Sequence, residues 1–115
     1  GLFQGNTYYL AYNTDTIAID EHLFSNDSHC MAGLSAKTLG VYEKGTGRGV
    51  VCDIQEFPYT LIWSARSETL RFVCIEPWVM PPAPAGTPEK LAEKDGMVLL
   101  EPAATYRNVY TITLN

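Results

Sequence analysis

Short runs of β-branched and aromatic residues recur along this chain, and turn-forming residues separate them. Such residues favour extended backbone, whereas Gly, Asn, Asp and Pro favour turns. The predicted strands are residues 7–12, 16–19, 38–43, 49–54, 59–64, 70–75, 97–100 and 106–114, the second of them the weakest. About seven short strands at regular spacing predict an all-β fold, an antiparallel β-sandwich.

Two pairs of these segments predict β-hairpins. Residues 38–43 and 49–54 flank a glycine-rich turn at Lys44–Arg48, and residues 59–64 and 70–75 flank a charged turn. Glycine-rich turns of this length join antiparallel neighbours. Both pairs are therefore predicted to be antiparallel neighbours.

The remaining segments are predicted as turns and loops. Residues 79–96 contain four prolines and are predicted as a Pro-rich loop, with a short helix at residues 88–94. Residues 20–24 are predicted as a helical turn that leads into a polar loop.

Size and charge limit the classes of function. A chain of 115 residues with a net charge of −5 and no basic run is predicted to be one domain that binds neither nucleic acid nor anionic membranes. No apolar stretch approaches the roughly 20 residues that span a bilayer. The three cysteines are odd in number and widely spaced, which predicts buried, reduced thiols in a cytoplasmic protein.

One carboxylate, Glu76, lies within the apolar run 72–78 and is followed by Pro77 and Trp78. Burial of a carboxyl group raises its pKa toward the neutral range in which general acids and bases work. Pro77 is predicted to end the strand, which would place Glu76 at the lip of a sheet. The indole of Trp78 offers a flat apolar surface for a sugar ring. An edge-strand glutamate that points at water is the alternative interpretation.

The run 72–78 resembles a signature of the aldose 1-epimerase (galactose mutarotase) family, and is closest to its mutarotase-like bacterial branch. Four other segments resemble motifs of the family and follow the family's order. Residues 23–27 resemble the loop that carries the sugar-binding Asp, and residues 46–48 resemble the Ser-Gly-Arg hairpin. Residues 57–64 resemble the strand before the catalytic one, and residues 97–106 resemble the closing segment. The resemblance implies a galactose mutarotase-like supersandwich. Residues 1–115 would be a single β-sandwich domain or the C-terminal half of a larger one.

The resemblance also implies an isomerase that interconverts the anomers of a small aldohexose without a cofactor or metal. In the family a carboxylate removes the proton of the anomeric hydroxyl, and a histidine protonates the ring oxygen. Glu76 matches the catalytic base, and Asp27 matches the residue that binds sugar hydroxyls. Trp63 and Trp78 are candidate substrate-binding residues on account of their chemistry.

The chain departs from the family in length and in its histidines. Family members are more than twice as long, and their catalytic histidine belongs to the half without a counterpart here. His22 and His29 do not match that motif and are predicted as surface or capping residues. The acid would then come from further sequence or a partner chain. The alternative function is a non-catalytic carbohydrate-binding or structural β-sandwich domain.

Half a sandwich would expose sheet edges and an apolar face. This predicts self-association with a second copy, or pairing with an N-terminal half. The spacing of His22, His29 and Cys30 fits no zinc motif, so no metal site is predicted. Cys74 lies two residues from Glu76, on the same face of an extended strand, and is predicted as a buried structural thiol.

Overall fold

The computed structural model describes residues 5–67, 69–86 and 90–115. The strands are β1 (His29–Ala32), β2 (Thr38–Tyr42), β3 (Gly49–Asp53), β4 (Tyr59–Trp63), β5 (Cys74–Trp78) and β6 (Ile112–Leu114). They form two three-stranded antiparallel sheets, a first sheet of order β1–β4–β5 and a second sheet of order β2–β3–β6. The one helical element in the described ranges is a 3₁₀ turn at Leu91–Glu93. The predicted all-β class is confirmed.

The glycine-rich hairpin is confirmed as the connection of β2 and β3. Tyr42 pairs with Gly49 at its closed end, and the Glu43 N–H donates to the Arg48 carbonyl at 2.7 Å. Gly45 and Gly47 have φ of 88° and 72°. Glycine adopts this left-handed backbone without steric cost, which explains the composition of the turn.

The second predicted hairpin is confirmed as the pairing of β4 with β5, but the bounds of β5 are different. β5 begins at Cys74 rather than Leu70, and it continues through Pro77, which pairs with Thr60. The prediction that Pro77 ends the strand is therefore wrong. Proline is accommodated because β5 is an outer strand of its sheet. Glu76 lies in the middle of β5, half-buried, and not at the lip of the sheet.

Four other predicted strands differ from the structure. Residues 7–12, 16–19 and 97–100 are not strands, and only Ile112–Leu114 of the segment 106–114 is one. Strand composition alone does not produce a strand where no neighbour completes the ladder. The sequence pattern also does not predict β1, because His29–Ala32 contains no β-branched residue.

The predicted turns agree with the structure. In the turn at residues 20–24, the Asp20 carboxylate accepts the backbone N–H groups of His22 and Leu23 at 2.9 Å each. Residues 79–86 and 90–96 contain no regular strand and no helix beyond the 3₁₀ turn. The part of the predicted helix at residues 88–89 lies outside the described residues.

The core is small for a chain of this size. Its fully buried hydrophobic residues are Phe24, Cys52, Ile54, Leu61 and Ile62. The accessible surface is 8958 Å², whereas a compact monomer of 12.7 kDa exposes about 6,200 Å². The radius of gyration is 16.0 Å, against about 13 Å for a compact domain of this length.

In the described ranges the two sheets are separate ladders, and no strand of one pairs with a strand of the other. The sandwich layer and the single-domain organisation stay predictions. No helix in the part of the chain that the structure describes could cross a membrane.

Candidate functional site

Three of the four predicted site residues project from the same face of the first sheet. Residues that pair directly across antiparallel strands share a face, and alternate residues along a strand return to it. Glu76 pairs with Leu61, Trp63 with Cys74, and Trp78 with Tyr59. We call this surface the Glu76 face; its residues are Cys30, Ala32, Tyr59, Leu61, Trp63, Cys74, Glu76 and Trp78.

The spacing on the Glu76 face suits one small ligand. Glu76 and Trp63 are diagonal neighbours on adjacent strands, a relation that separates their Cα atoms by about 7–8 Å. Glu76 and Trp78 are two residues apart on β5, or about 6–7 Å. Glu76 is half-buried and Trp78 is 36% exposed, so both side chains have access to solvent.

Asp27 adjoins the Glu76 face through Trp63. Its carboxylate accepts the Ser28 N–H at 2.8 Å. This bond is the largest of the causes that hold the pKa of Asp27 below its ordinary value of 3.8, and the indole N–H of Trp63 makes the smallest contribution. Asp27 is therefore ionised at neutral pH and acts as a hydrogen-bond acceptor. The structure thus brings the predicted residues Asp27 and Trp63 together.

The backbone of Asp27 has an uncommon conformation. Its φ is 81°, and its N–H donates to the Phe24 carbonyl at 3.1 Å. Asp and Asn are among the few residues other than Gly that occupy this region. The role predicted for Asp27 stays a prediction.

Aromatic side chains flank the Glu76 face at both ends. The rings of Trp63 and Phe72 lie 5.8 Å apart, centre to centre. At the other end, Trp78 lines a shallow apolar cleft of about 290 Å³ with Phe57, Tyr106 and Asn108. Both tryptophans therefore have the surroundings of a stacking surface.

A second cavity, of about 860 Å³, adjoins one end of the Glu76 face. Its walls come mainly from residues 6–17, β1 and the start of β2, and they include Cys30, Ala32 and Tyr59 of the Glu76 face. None of Glu76, Asp27, Trp63 and Trp78 lines it.

His29 is half-buried rather than on the surface, and it caps the turn at residues 20–24. Its Nε2 donates to the Leu23 carbonyl at 2.5 Å. Its Nδ1 lies 2.5 Å from the Tyr8 hydroxyl oxygen, within hydrogen-bond distance. His29 pairs with Ile62 and so lies on the face opposite Glu76. The contacts of His29 with Tyr8 and Leu23 connect the N-terminal segment and the turn at residues 20–24 to β1.

His22, in contrast, agrees with the prediction of a surface residue. Its side chain is 83% exposed, and its ring lies 4.0 Å from the Glu21 carboxylate. It belongs to the turn before β1 and to neither sheet. Neither of the two histidines therefore lies on the Glu76 face.

The three cysteines are free thiols, but only Cys52 is fully buried. Cys30 and Cys74 are half-buried, so the prediction of buried thiols is wrong for both. Burial raises the pKa of Cys30 and keeps it protonated. Cys74 shares the Glu76 face, as its spacing predicts. The described residues contain no group of three His, Cys, Asp or Glu side chains that could hold a metal ion.

Two side-chain pairs have no signal in the sequence. Tyr8 reaches His29 from 21 residues away, and Tyr110 donates its hydroxyl to the Cys52 sulfur at 3.0 Å from 58 residues away. Burial and this hydrogen bond raise the pKa of Tyr110 to about 12. Contacts of this kind depend on sheet topology, which local residue patterns do not specify.

The chain is similar to two curated proteins of Lactococcus lactis subsp. lactis, the plasmid and the chromosomal LacX proteins. Each is 24% identical over 102 residues, which cover 89% of this chain and 34% of the relative. The chain thus spans about a third of the length of these relatives. No family model and no solved structure matches it. The comparisons show a weak similarity to LacX proteins, and the aldose 1-epimerase resemblance rests on the sequence motifs.

Proposed function

We propose that this chain carries the base and the hydroxyl-binding side of an aldose 1-epimerase-type site for a small aldohexose. The observation that carries the proposal is the diagonal placement of Glu76 and Trp63 on one face of the first sheet, with Asp27 near Trp63. A half-buried carboxylate, an apolar ring and an ionised acceptor are the groups that a sugar hemiacetal requires. The similarity to LacX proteins supports a role related to lactose or galactose at the level of carbohydrate metabolism.

In the proposed reaction the Glu76 carboxylate removes the proton of the anomeric hydroxyl. The C1–O bond to the ring oxygen breaks, the C1=O bond of the open aldehyde forms, and an acid protonates the former ring oxygen. Rotation about C1–C2 exposes the other face of the aldehyde, and reversal of the proton transfers closes the ring as the other anomer. The sum of these steps requires no cofactor.

Asp27 and the two tryptophans would position the sugar. An ionised Asp27 accepts a hydrogen bond from a hydroxyl remote from C1, and such charge-assisted bonds are stronger than neutral ones. Trp63 and Trp78 lie on opposite sides of Glu76 on the same face. They would pack against the C–H surface of the sugar ring and exclude water from it.

The acid would come from outside the described chain. The described residues of the Glu76 face include no histidine, and the neutral Cys30 thiol is a weak acid. A partner copy or a longer polypeptide would supply the group that protonates the ring oxygen. The three free cysteines fit the proposed cytoplasmic location.

A second candidate function is sugar binding without catalysis. The absence of a histidine on the described Glu76 face favours it, since binding requires only the stacking surface and the acceptor. In this alternative the cleft beside Trp78 and the ionised Asp27 bind a sugar whose anomers interconvert at the spontaneous rate.

Polarimetry with freshly dissolved α-D-galactose and α-D-glucose tests both candidates. The wild-type chain is expected to accelerate mutarotation, Glu76→Gln to abolish the acceleration, and Glu101→Gln, at an exposed position in the closing loop, to retain it. Equal rates for Glu76→Gln and wild type would refute Glu76 as the base.

Tryptophan fluorescence separates binding from catalysis, because the only two tryptophans are Trp63 and Trp78. A sugar-dependent change without faster mutarotation, lost in Trp78→Ala, would support the non-catalytic function. No acceleration and no fluorescence change with either sugar would refute both candidates.

A further inference from the structure

The loop that carries Asp27 runs alongside the segment that follows β4. At the start of β1, His29 pairs with Ile62 in antiparallel register. Continued beyond the end of the ladder, the same register places Ser25 opposite Arg66. The structure has a contact at this position, because the Arg66 guanidinium donates a hydrogen bond to the Ser25 carbonyl across 41 positions of sequence. This contact joins the two segments beyond the last strand pair.

The other backbone bonds of the Asp27 loop lie within its own turn. The Ser25 N–H donates to the His22 carbonyl at 3.0 Å, and the Asp27 N–H donates to the Phe24 carbonyl at 3.1 Å. Neither bond reaches the first sheet. The Arg66 bond does, because Arg66 follows β4 directly along the chain.

Asp27 needs such a connection to stay beside the Glu76 face. In the continued register Trp63 lies opposite Ser28, next to Asp27, but its indole N–H makes only the smallest of the contributions that lower the pKa of Asp27. The φ of Asp27 is 81°, and a residue other than glycine keeps such a backbone conformation only where neighbouring contacts hold it. A loop tied at Ser25 restricts the positions that the Asp27 carboxylate can take.

We propose that Arg66 is a positioning residue for the sugar, which ties the loop at Ser25 to the end of β4 and so holds the Asp27 carboxylate beside Trp63. A guanidinium suits this task because it is always charged, and its bond to a carbonyl is charge-assisted. Arg66 acts through Asp27 and contacts no reacting atom. Its effect on the sugar rests on the proposed function, whereas its hold on Asp27 can be measured without a sugar.

Nuclear magnetic resonance of the ¹⁵N-labelled chain measures that hold. The only two tryptophans are Trp63 and Trp78, so two indole N–H signals are expected, and Trp78→Phe assigns them. Asp27→Gly, which tolerates the positive φ, removes the carboxylate and should shift the Trp63 signal. Arg66→Met should shift it in the same direction, and Arg66→Lys, which keeps a cationic donor, should restore it. Arg71→Met removes the same charge from an exposed position before β5 and should leave it in place.

Mutarotation kinetics with α-D-galactose then measure the effect on the sugar. A hydroxyl remote from C1 is bound equally in the ground state and the transition state, so its loss raises KM and leaves kcat unchanged. Arg66→Met should raise KM by about three- to tenfold, the range expected when a loop must be ordered on binding. In the Asp27→Gly background the same change should have no further effect, because both act on one contact. For a chain that binds without catalysis, the dissociation constant from tryptophan fluorescence replaces KM.

Three results would overturn the proposal: a Trp63 signal that Arg66→Met leaves in place, equal effects of Arg66→Met and Arg71→Met, or an effect of Arg66→Met on KM that persists in full without the Asp27 carboxylate. A wild-type chain that neither binds nor converts the sugars would refute the proposed function, and the sugar-free Trp63 signal then decides alone whether Arg66 positions Asp27. Arg66 is exposed, so its variants are expected to fold, which far-ultraviolet circular dichroism checks. If Arg66→Met does not fold, Arg66→Gln takes its place.

Discussion

Two glycines of the second sheet lie against the ring of Tyr42, and they differ in how they would accept a methyl group. A Cβ at Gly49 would lie 2.4 Å from the Val41 carbonyl oxygen and 3.1 Å from the Tyr42 Cα, both backbone atoms. The three atoms nearest to a Cβ at Gly40 all belong to the Tyr42 side chain, and Cε2 is the closest at 2.7 Å. Tyr42 is 56% exposed, so its ring can rotate away. The β2 backbone cannot move without disturbing its pairing with β3.

These contacts set the expected change in the free energy of unfolding. Alanine in place of glycine within a strand gains about 0.5–1 kcal/mol, whereas overpacking costs about 1–3 kcal/mol. At Gly40 the Tyr42 ring can rotate away, so the gain from alanine and the cost of overpacking nearly cancel. Gly40→Ala should therefore change the free energy of unfolding by less than about 0.5 kcal/mol. At Gly49 the clash is with backbone, so Gly49→Ala should lose about 2 kcal/mol.

Urea unfolding followed by far-ultraviolet circular dichroism measures both variants against the wild type. Trp63 and Trp78 lie in the first sheet, so their fluorescence shows whether the sheets unfold together. Protein concentration must be equal in all samples, since association raises apparent stability. Gly40→Ala destabilising the chain as much as Gly49→Ala would refute the distinction between side-chain and backbone contacts.

Two titrations provide further tests. Because the pKa of Tyr110 is raised to about 12, one of the seven tyrosines should ionise later than the rest, and Tyr110→Phe should remove that step from the ultraviolet titration. The protonated form of Tyr110 stabilises the fold fully below the pKa of about 10 that tyrosine has in the unfolded chain. This stabilisation is lost as the pH rises through about 12. A Tyr110→Phe titration identical in shape to that of the wild type would contradict this. The lowered pKa of Asp27 predicts stability that is present above pH 3.8 and is lost as the pH falls below it. Asp27→Asn, which tolerates the same φ, should reduce this loss in acid unfolding; an unchanged acid dependence would count against it.

The parts of the fold that the sequence predicts are those with local causes. The hairpin of β2 and β3 follows from glycines whose positive φ closes the turn. β1 is different, because His29–Ala32 becomes a strand only through its pairing with β4. Residues 7–12 show the converse, since they have strand composition but form no strand in the structure. Tertiary pairing outweighs local propensity in both cases.

The candidate site likewise has features that follow from local sequence and features that depend on strand pairing. That Glu76, Cys74 and Trp78 share a face follows from strand alternation and could be predicted. That Trp63 joins them depends on the register of β4 against β5, which places it opposite Cys74. A shift of one residue would have turned Trp63 to the other face. The position of His29 on that other face likewise required the pairing of β1 with β4.

Pro77 makes the two edges of the first sheet unequal in their ability to pair with a further strand. A proline has no N–H to donate, and in an outer strand its nitrogen points away from the neighbouring strand. The outer edge of β5 therefore lacks a donor at its fourth residue, and an added strand there would lose a hydrogen bond of its ladder. Any further strand would join this sheet more readily beside β1, at the opposite end. The missing donor at Pro77 therefore disfavours edge-to-edge pairing of copies along β5, and it leaves the β1 edge as the edge at which a further strand pairs fully.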